Sequence, residues 1–172
     1  LYHERQRLEL CALHALNNVL QRPAFSRRQA DAICKRHLAP NSFLNPHRSP
    51  LGTGNYDVNV ILAALQSLGL TAVWWDKRRP LSRLQLPPVL GLILNLPSRP
   101  SWGPLRLPVH RPHWVGLGRH QGTFYNLDSK LPAPIAIGGD AELRVFLEEL
   151  LARGPCEILL VLSPAAEAAR AW

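Results

Sequence analysis

The amino-terminal part of the chain carries apolar residues at helical spacing. Over residues 10–21 they recur every three or four positions, which predicts an amphipathic helix with Cys11 in its first turn. Ser26 and Gln29 have the form of a capping box, so a second helix is expected to begin there. A third helix is expected over residues 55–69, where Gly69 provides the stop. The first half of the chain is therefore predicted to be helical.

The second half of the chain changes its hydrophobic period. Short apolar runs that are typical of β-strands cover residues 70–75, 89–95, 113–118, 123–128 and 156–162. One further amphipathic helix is expected over 140–154. Helices followed by mostly antiparallel strands indicate an α+β fold, and 172 residues suit one domain spanning residues 1–172.

Residues 97–112 are predicted to form a long loop. Pro100, Pro104 and Pro108 interrupt the segment at a spacing that excludes a helix. The loop is expected to end directly before His113.

Composition narrows the functional classes. Lys and Arg number 20 against 12 Asp and Glu, but these positive residues are scattered, so the net charge of +8 favours a solvated basic surface over nucleic-acid binding. No apolar run is long enough for a membrane helix. Three cysteines are too few for a disulfide scaffold and fit a reducing compartment. We expect a soluble cytosolic monomer.

Cys11 is the candidate nucleophile. A cysteine in the first turn of a helix lies at the positive end of the helix dipole, which favours the thiolate. A small buried hydrophobe remains the alternative for Cys11 taken alone. Among the seven histidines, His113 opens a predicted strand and Asp128 closes the next one, so antiparallel pairing would bring their side chains together. Such a carboxylate would orient an imidazole that acts as general base.

Gln6 could donate its amide to an oxyanion hole, and an exposed surface glutamine is the alternative. A rival zinc site could use two Cys-x-x-His pairs, Cys11 with His14 and Cys34 with His37. Both pairs fall on predicted helices rather than on the loops that usually hold structural zinc. We therefore expect no metal and no cofactor.

Motifs along the whole chain resemble the Josephin family of deubiquitinases. In chain order they are Tyr2-His3-Glu4-Arg5-Gln6, Leu10-Cys11-Ala12-Leu13-His14-Ala15-Leu16-Asn17-Asn18, Gly52-Thr53-Gly54-Asn55-Tyr56-Asp57-Val58-Asn59-Val60, Trp74-Trp75, His113-Trp114 and Asn126-Leu127-Asp128-Ser129. The resemblance implies a papain-like fold and a thiol protease that acts on ubiquitin, polyubiquitin chains or ubiquitinated proteins. Its catalytic residues would be Cys11, His113, Asp128 and the oxyanion-hole residue Gln6.

The resemblance also implies a helical arm over about residues 24–51 that grips the substrate. We expect Phe25, Phe43, Leu44 and Trp114 to contact ubiquitin, and the alternative for the arm residues is that they pin the arm to the domain. A ubiquitin-binding adaptor with weak or latent activity remains the second functional hypothesis. An acyltransferase would use the same triad, but nothing outside the triad supports it.

Overall fold

The three longest helices of the computed structural model lie close to their predicted positions. It describes residues 1–5, 11–26, 28–29, 32, 56–98, 101–102, 105–106 and 111–172. Its helices are α1 (Cys11–Leu20), α2 (Tyr56–Ser67), α3 (Asp140–Arg153) and α4 (Pro164–Ala168), with a short 3₁₀ helix at Leu81–Arg83. Gly69 has a φ of 70° after α2, so the predicted stop is confirmed by its left-handed backbone.

The capping box predicted at Ser26 is also present. The Ser26 backbone N–H donates to Gln29 Oε1 at 2.8 Å, and the Gln29 N–H donates to Ser26 Oγ at 3.2 Å. Two N–H groups that lack partners at a helix start are thus satisfied reciprocally. Residues 28, 29 and 32 are helical, as that prediction requires.

A six-stranded antiparallel sheet forms the centre of the molecule. Its strands are β1 (Thr71–Trp74), β2 (Gly91–Ser98), β5 (Arg111–His120), β6 (Thr123–Asn126), β7 (Ile135–Gly138) and β8 (Glu157–Leu162), in the spatial order β1-β8-β2-β5-β6-β7. A separate two-stranded ladder pairs β3 (Ser101–Trp102) with β4 (Leu105–Arg106). The predicted α+β class is confirmed, while β7 and α4 were not predicted.

Both faces of the sheet are covered, which explains the continuous apolar sequence of β8. Ile158, Leu160 and Leu162 pack in the core layer that contains α3. Leu159 and Val161 point to the opposite layer, which contains α1 and α2. A strand buried on both faces carries apolar residues at every position, because alternate side chains point to opposite faces.

The expectation of a loop over 97–112 is wrong at both ends of the segment. In the β2–β5 ladder Pro97 stands opposite Pro112, and the ladder continues to Ser98 and Arg111. The Leu127 N–H donates to the Gly116 carbonyl, so the backbone groups of Gly116 point away from β2. Every second residue of β5 shares this direction, and a proline at such a position is compatible with the β2–β5 ladder. Pro112 is one of these residues, so its missing N–H removes no bond to β2.

Candidate active site

His113 and Asp128 are in direct contact. His113 lies in β5 and Asp128 follows the end of β6, and His113 Nε2–H donates to Asp128 Oδ1 at 2.7 Å. The His113 side chain is 7% exposed and that of Asp128 is 18% exposed. Antiparallel pairing of β5 with β6 thus produces the juxtaposition that the sequence predicts.

The Asp128 carboxylate is held by backbone groups as well as by His113. Oδ1 also accepts a hydrogen bond from the Lys130 N–H at 2.9 Å, while the Asp128 N–H donates to Asn126 Oδ1 at 3.0 Å. Burial raises the pKa of Asp128, but the bonds from His113 and Lys130 outweigh it and hold the pKa below its ordinary value. Asp128 is therefore an oriented carboxylate at neutral pH.

Helix α1 packs directly on β5 because β5 carries glycine where the two meet. A methyl group at Gly116 would lie 2.8 Å from the Ala15 carbonyl oxygen, and one at Gly91 would lie 2.6 Å from Val19 Cγ1. Gly91 lies in β2 opposite Gly118, so following α1 backwards from Val19 to Ala15 moves along the sheet from the level of Gly118 to that of Gly116. Cys11, one turn before Ala15, begins α1 and therefore lies toward the His113 end of β5.

The amino-terminal segment is bound by two side-chain amides, one in α1 (Asn18) and one directly after it (Gln21). Gln21 accepts from Tyr2 N at 2.8 Å and donates to the Tyr2 carbonyl at 3.0 Å. Asn18 does the same for Glu4: Oδ1 accepts from the Glu4 N–H, and Nδ2 donates to the Glu4 carbonyl at 3.3 Å. Alternate residues of the segment are thus paired on both backbone groups, as they would be by a neighbouring strand.

The same segment reaches the residues that follow β6. His3 Nε2 donates to the Asp128 carbonyl oxygen at 2.8 Å. Asn18 Nδ2 also donates to the Leu127 carbonyl at 2.9 Å, one residue before Asp128. The segment therefore lies between α1 and the end of β6, and it leads to Gln6 two residues after Glu4.

His14 takes part in a neighbouring buried network. Its Nδ1 donates to Glu4 Oε1 at 2.8 Å, and Asn17 Nδ2 donates to the same oxygen at 3.3 Å. Tyr2 donates to Glu4 Oε2 at 2.6 Å, and burial together with this bond raises the pKa of Tyr2 to about 12. The Glu4 carboxylate thus accepts from three side chains, those of Tyr2, His14 and Asn17.

Two of the residues expected to contact substrate are buried. Phe25 is 8% exposed and Trp114 is fully buried, and both pack in the core layer of α1 and α2. Their burial argues against direct contact with ubiquitin and, for Phe25, favours the alternative of pinning the arm. Phe43 and Leu44 lie outside the described residues, as does most of the 24–51 arm.

Several other predictions fall wholly or partly outside the described residues. Gln6 lies there, and so do Cys34 and His37 of the rival zinc set. For Cys11 the helical backbone is described but not the side chain. Within the described part of the chain no group of three or more metal-binding side chains is present, and no helix is long and apolar enough to cross a membrane.

The burial of two polar residues of α1 was not predicted from the sequence. Asn17 and Asn18 are 1% and 0% exposed although they are amides at helical positions in the last turn of α1. That placement is unusual, because Asn favours caps and turns over helix interiors. Two adjacent interior asparagines were the available signal, but only the structure shows what they bind.

Comparison with known proteins identifies the family of this chain. The Josephin family model matches residues 6–162. The chain is 67% identical to Josephin-2 of Mus musculus and 66% identical to Josephin-2 of Homo sapiens, in each case over 99% of this chain and 90% of the relative. It is 48% identical to the Josephin-like protein of Drosophila melanogaster over 94% of this chain and 73% of the relative. The resemblance found in the sequence motifs is thereby confirmed, and the chain belongs to the Josephin family.

Proposed function

We propose that this Josephin-family chain is a cysteine-type deubiquitinase that hydrolyses isopeptide bonds at the carboxy terminus of ubiquitin. Cys11 is the nucleophile, His113 the general base, Asp128 the residue that orients His113, and Gln6 an oxyanion donor. The observation that carries the proposal is the 2.7 Å hydrogen bond between His113 Nε2 and Asp128 Oδ1. It joins the base, which lies on the strand against which the Cys11 helix packs, to a carboxylate that would orient it.

The orientation of His113 determines which nitrogen exchanges protons with the nucleophile. Because Nε2 is engaged by Asp128, Nδ1 is the atom that takes the proton from the Cys11 thiol. The resulting imidazolium is stabilised by a carboxylate, which is a stronger partner than a neutral amide. The Cys11 thiolate, at the start of α1, gains further stabilisation from the helix dipole.

The reaction follows in two steps. The Cys11 sulfur attacks the carbonyl carbon of the isopeptide bond, and the oxyanion is stabilised by the Gln6 amide and the Cys11 backbone N–H. His113 donates its proton to the departing lysine amine, which leaves a thioester between Cys11 and ubiquitin. Water then attacks the thioester, its proton passes to His113, and the Cys11 sulfur leaves. Polyubiquitin chains and ubiquitinated proteins are the substrates of this chemistry.

A ubiquitin probe with a carboxy-terminal electrophile tests the proposal. Wild-type protein should form one adduct with the probe, located on Cys11 by peptide mapping, and Cys11→Ala should form none. Cys156→Ala is the matched control because Cys156 is 2% exposed and burial raises its pKa to about 11. That variant should react like wild type.

Other outcomes distinguish the alternatives. If the protein binds ubiquitin but neither reacts with the probe nor cleaves diubiquitin, the adaptor hypothesis replaces the proposal. An adduct located on Cys34 or Cys156 would show that the nucleophile is misassigned.

A further inference from the structure

We infer that Asn18 is a positioning residue that controls the catalytic rate by joining the segments that carry Gln6, Cys11 and Asp128. This inference rests on the proposed function. Asn18 is fully buried in α1, the helix that begins at Cys11. One side chain in this position contacts two other segments of the site.

The first contact is with the segment that leads to Gln6. Asn18 accepts from the Glu4 N–H and donates to the Glu4 carbonyl at 3.3 Å. Pairing both backbone groups fixes the position and direction of the chain at Glu4, two residues before Gln6. An oxyanion donor contributes only if it is held where the negative charge develops, so this constraint acts on the rate.

The second contact is with the strand that leads to Asp128. Asn18 Nδ2 donates to the Leu127 carbonyl at 2.9 Å. Leu127 N in turn donates to the Gly116 carbonyl at 3.0 Å in β5, the strand of His113. Asn18 thus binds the carbonyl of Leu127 while β5 binds its N–H, and Asp128 is the next residue.

Asn17 provides a matched control. It is 1% exposed in the same helix, and it also pairs with both backbone groups of one residue, Phe25, at 2.8 and 3.0 Å. The third hydrogen bond of Asn17 goes to the Glu4 side chain, whereas that of Asn18 goes to the Leu127 carbonyl next to Asp128. Replacing either amide therefore breaks buried hydrogen bonds of the same type, but only Asn18→Ala releases Leu127.

The test compares Asn18→Ala and Asn17→Ala in hydrolysis of diubiquitin, at a temperature where circular dichroism shows both variants folded. Both should lower the melting temperature by similar amounts. Asn18→Ala should lower kcat by about tenfold or more at unchanged KM, because small misplacements of catalytic groups are costly. Asn17→Ala should keep kcat within about twofold. If Asn18→Ala does not fold, Asn18→Asp provides the same comparison of kcat. Its side chain still accepts from the Glu4 N–H but can no longer donate to the Leu127 carbonyl.

A second measurement separates positioning from stability. The rate of Cys11 alkylation by iodoacetamide, with Cys11→Ala as the background, reports the fraction of Cys11 that is thiolate, and its pH profile has a midpoint at the pKa of the thiol. Its midpoint should move to higher pH in Asn18→Ala, because a displaced Asp128 stabilises the imidazolium partner less, and should stay unchanged in Asn17→Ala.

Equal losses of kcat in the two variants, or a loss confined to KM, would overturn the inference. If wild-type protein itself does not cleave ubiquitin conjugates, the proposed function fails, whereas the alkylation midpoints still show whether Asn18 positions the pair.

Discussion

Replacing Gly116 with alanine should separate the Cys11 helix from the His113 strand. The added methyl group would lie 2.8 Å from the Ala15 carbonyl oxygen and 3.0 Å from Val19 Cγ2. An ordinary carbon–oxygen contact is about 3.3–3.6 Å, so α1 and β5 must move apart by roughly 0.5 Å or more. The nearest atom belongs to backbone, so a change of side-chain rotamer cannot relieve the contact.

The cost can be judged from overpacking in other cores. Inserting a methyl group into a tightly packed position costs about 1–3 kcal/mol. Alanine recovers roughly 0.5–1 kcal/mol of backbone entropy relative to glycine, which leaves a net loss of up to about 2.5 kcal/mol. For a chain of this size, each kcal/mol lowers the melting temperature by about 2–4 °C.

Gly118→Ala is the matched control on the same strand and face. Its methyl group would meet Leu127 Cδ1 at 3.0 Å and Gln21 Nε2 at 3.9 Å, both of which are side-chain atoms that can shift. The free energy of unfolding should therefore change by less than about 1 kcal/mol. Urea denaturation of both variants measures the difference.

Activity provides the sharper test. If α1 moves away from β5, Cys11 moves relative to His113, and kcat for diubiquitin should fall by about 10- to 100-fold in Gly116→Ala. Gly118→Ala should retain its kcat. A Gly116→Ala protein with wild-type stability and kcat would refute the close packing of α1 on β5 as the constraint that sets this geometry.

Four further predictions concern three single residues. Gln6→Ala should lower kcat by about 10²- to 10³-fold and leave the affinity for ubiquitin nearly unchanged. Steady-state kinetics and titration with ubiquitin measure the two quantities, and a loss of affinity alone would make Gln6 a binding residue. Asp128→Asn should retain partial activity where Cys11→Ala retains none, and equal inactivation of two folded variants would contradict this ranking. Folding lowers the pKa of Asp128, so the stability that its carboxylate adds should be present above its ordinary pKa of about 3.9 and should disappear as the pH falls below it. Acid titration of wild type and Asp128→Asn can show this difference. Cys156 should resist thiol reagents at pH 8 until the protein unfolds, and its labelling in the native state, followed by mass spectrometry, would show that its burial is incomplete.

Hydrophobic periodicity predicted the main helices because their apolar positions face the sheet. Helix α1 was expected over 10–21 and is found at Cys11–Leu20. Strand β7 was missed because it lies at the edge of the sheet, where Ile135 is 54% exposed. A strand with little burial carries no clear apolar pattern in its sequence. The prolines before His113 indicated a loop because their compatibility with a ladder depends on register, which the sequence does not reveal.

The candidate site was predictable only in part for a related reason. His113 and Asp128 could be paired from strand order, since both stand at the same end of one hairpin. Asn18 could not be assigned, because its partners at Glu4 and Leu127 lie far from it in sequence and do not belong to one local motif. The burial of Phe25 depends on the Asn17 amide in a similar way.

The place of β8 in the sheet has a consequence for synthesis on the ribosome. This strand follows the other five along the chain, yet it lies between β1 and β2 and bonds to both. While a nascent chain lacks residues 157–162, β1 has no strand partner among the described residues and one edge of β2 stays open. Unpaired edges of apolar strands promote association with other chains. A messenger RNA truncated before this point, or a ribosome stalled there, should therefore yield a product that needs chaperones or is degraded, rather than a smaller folded protein.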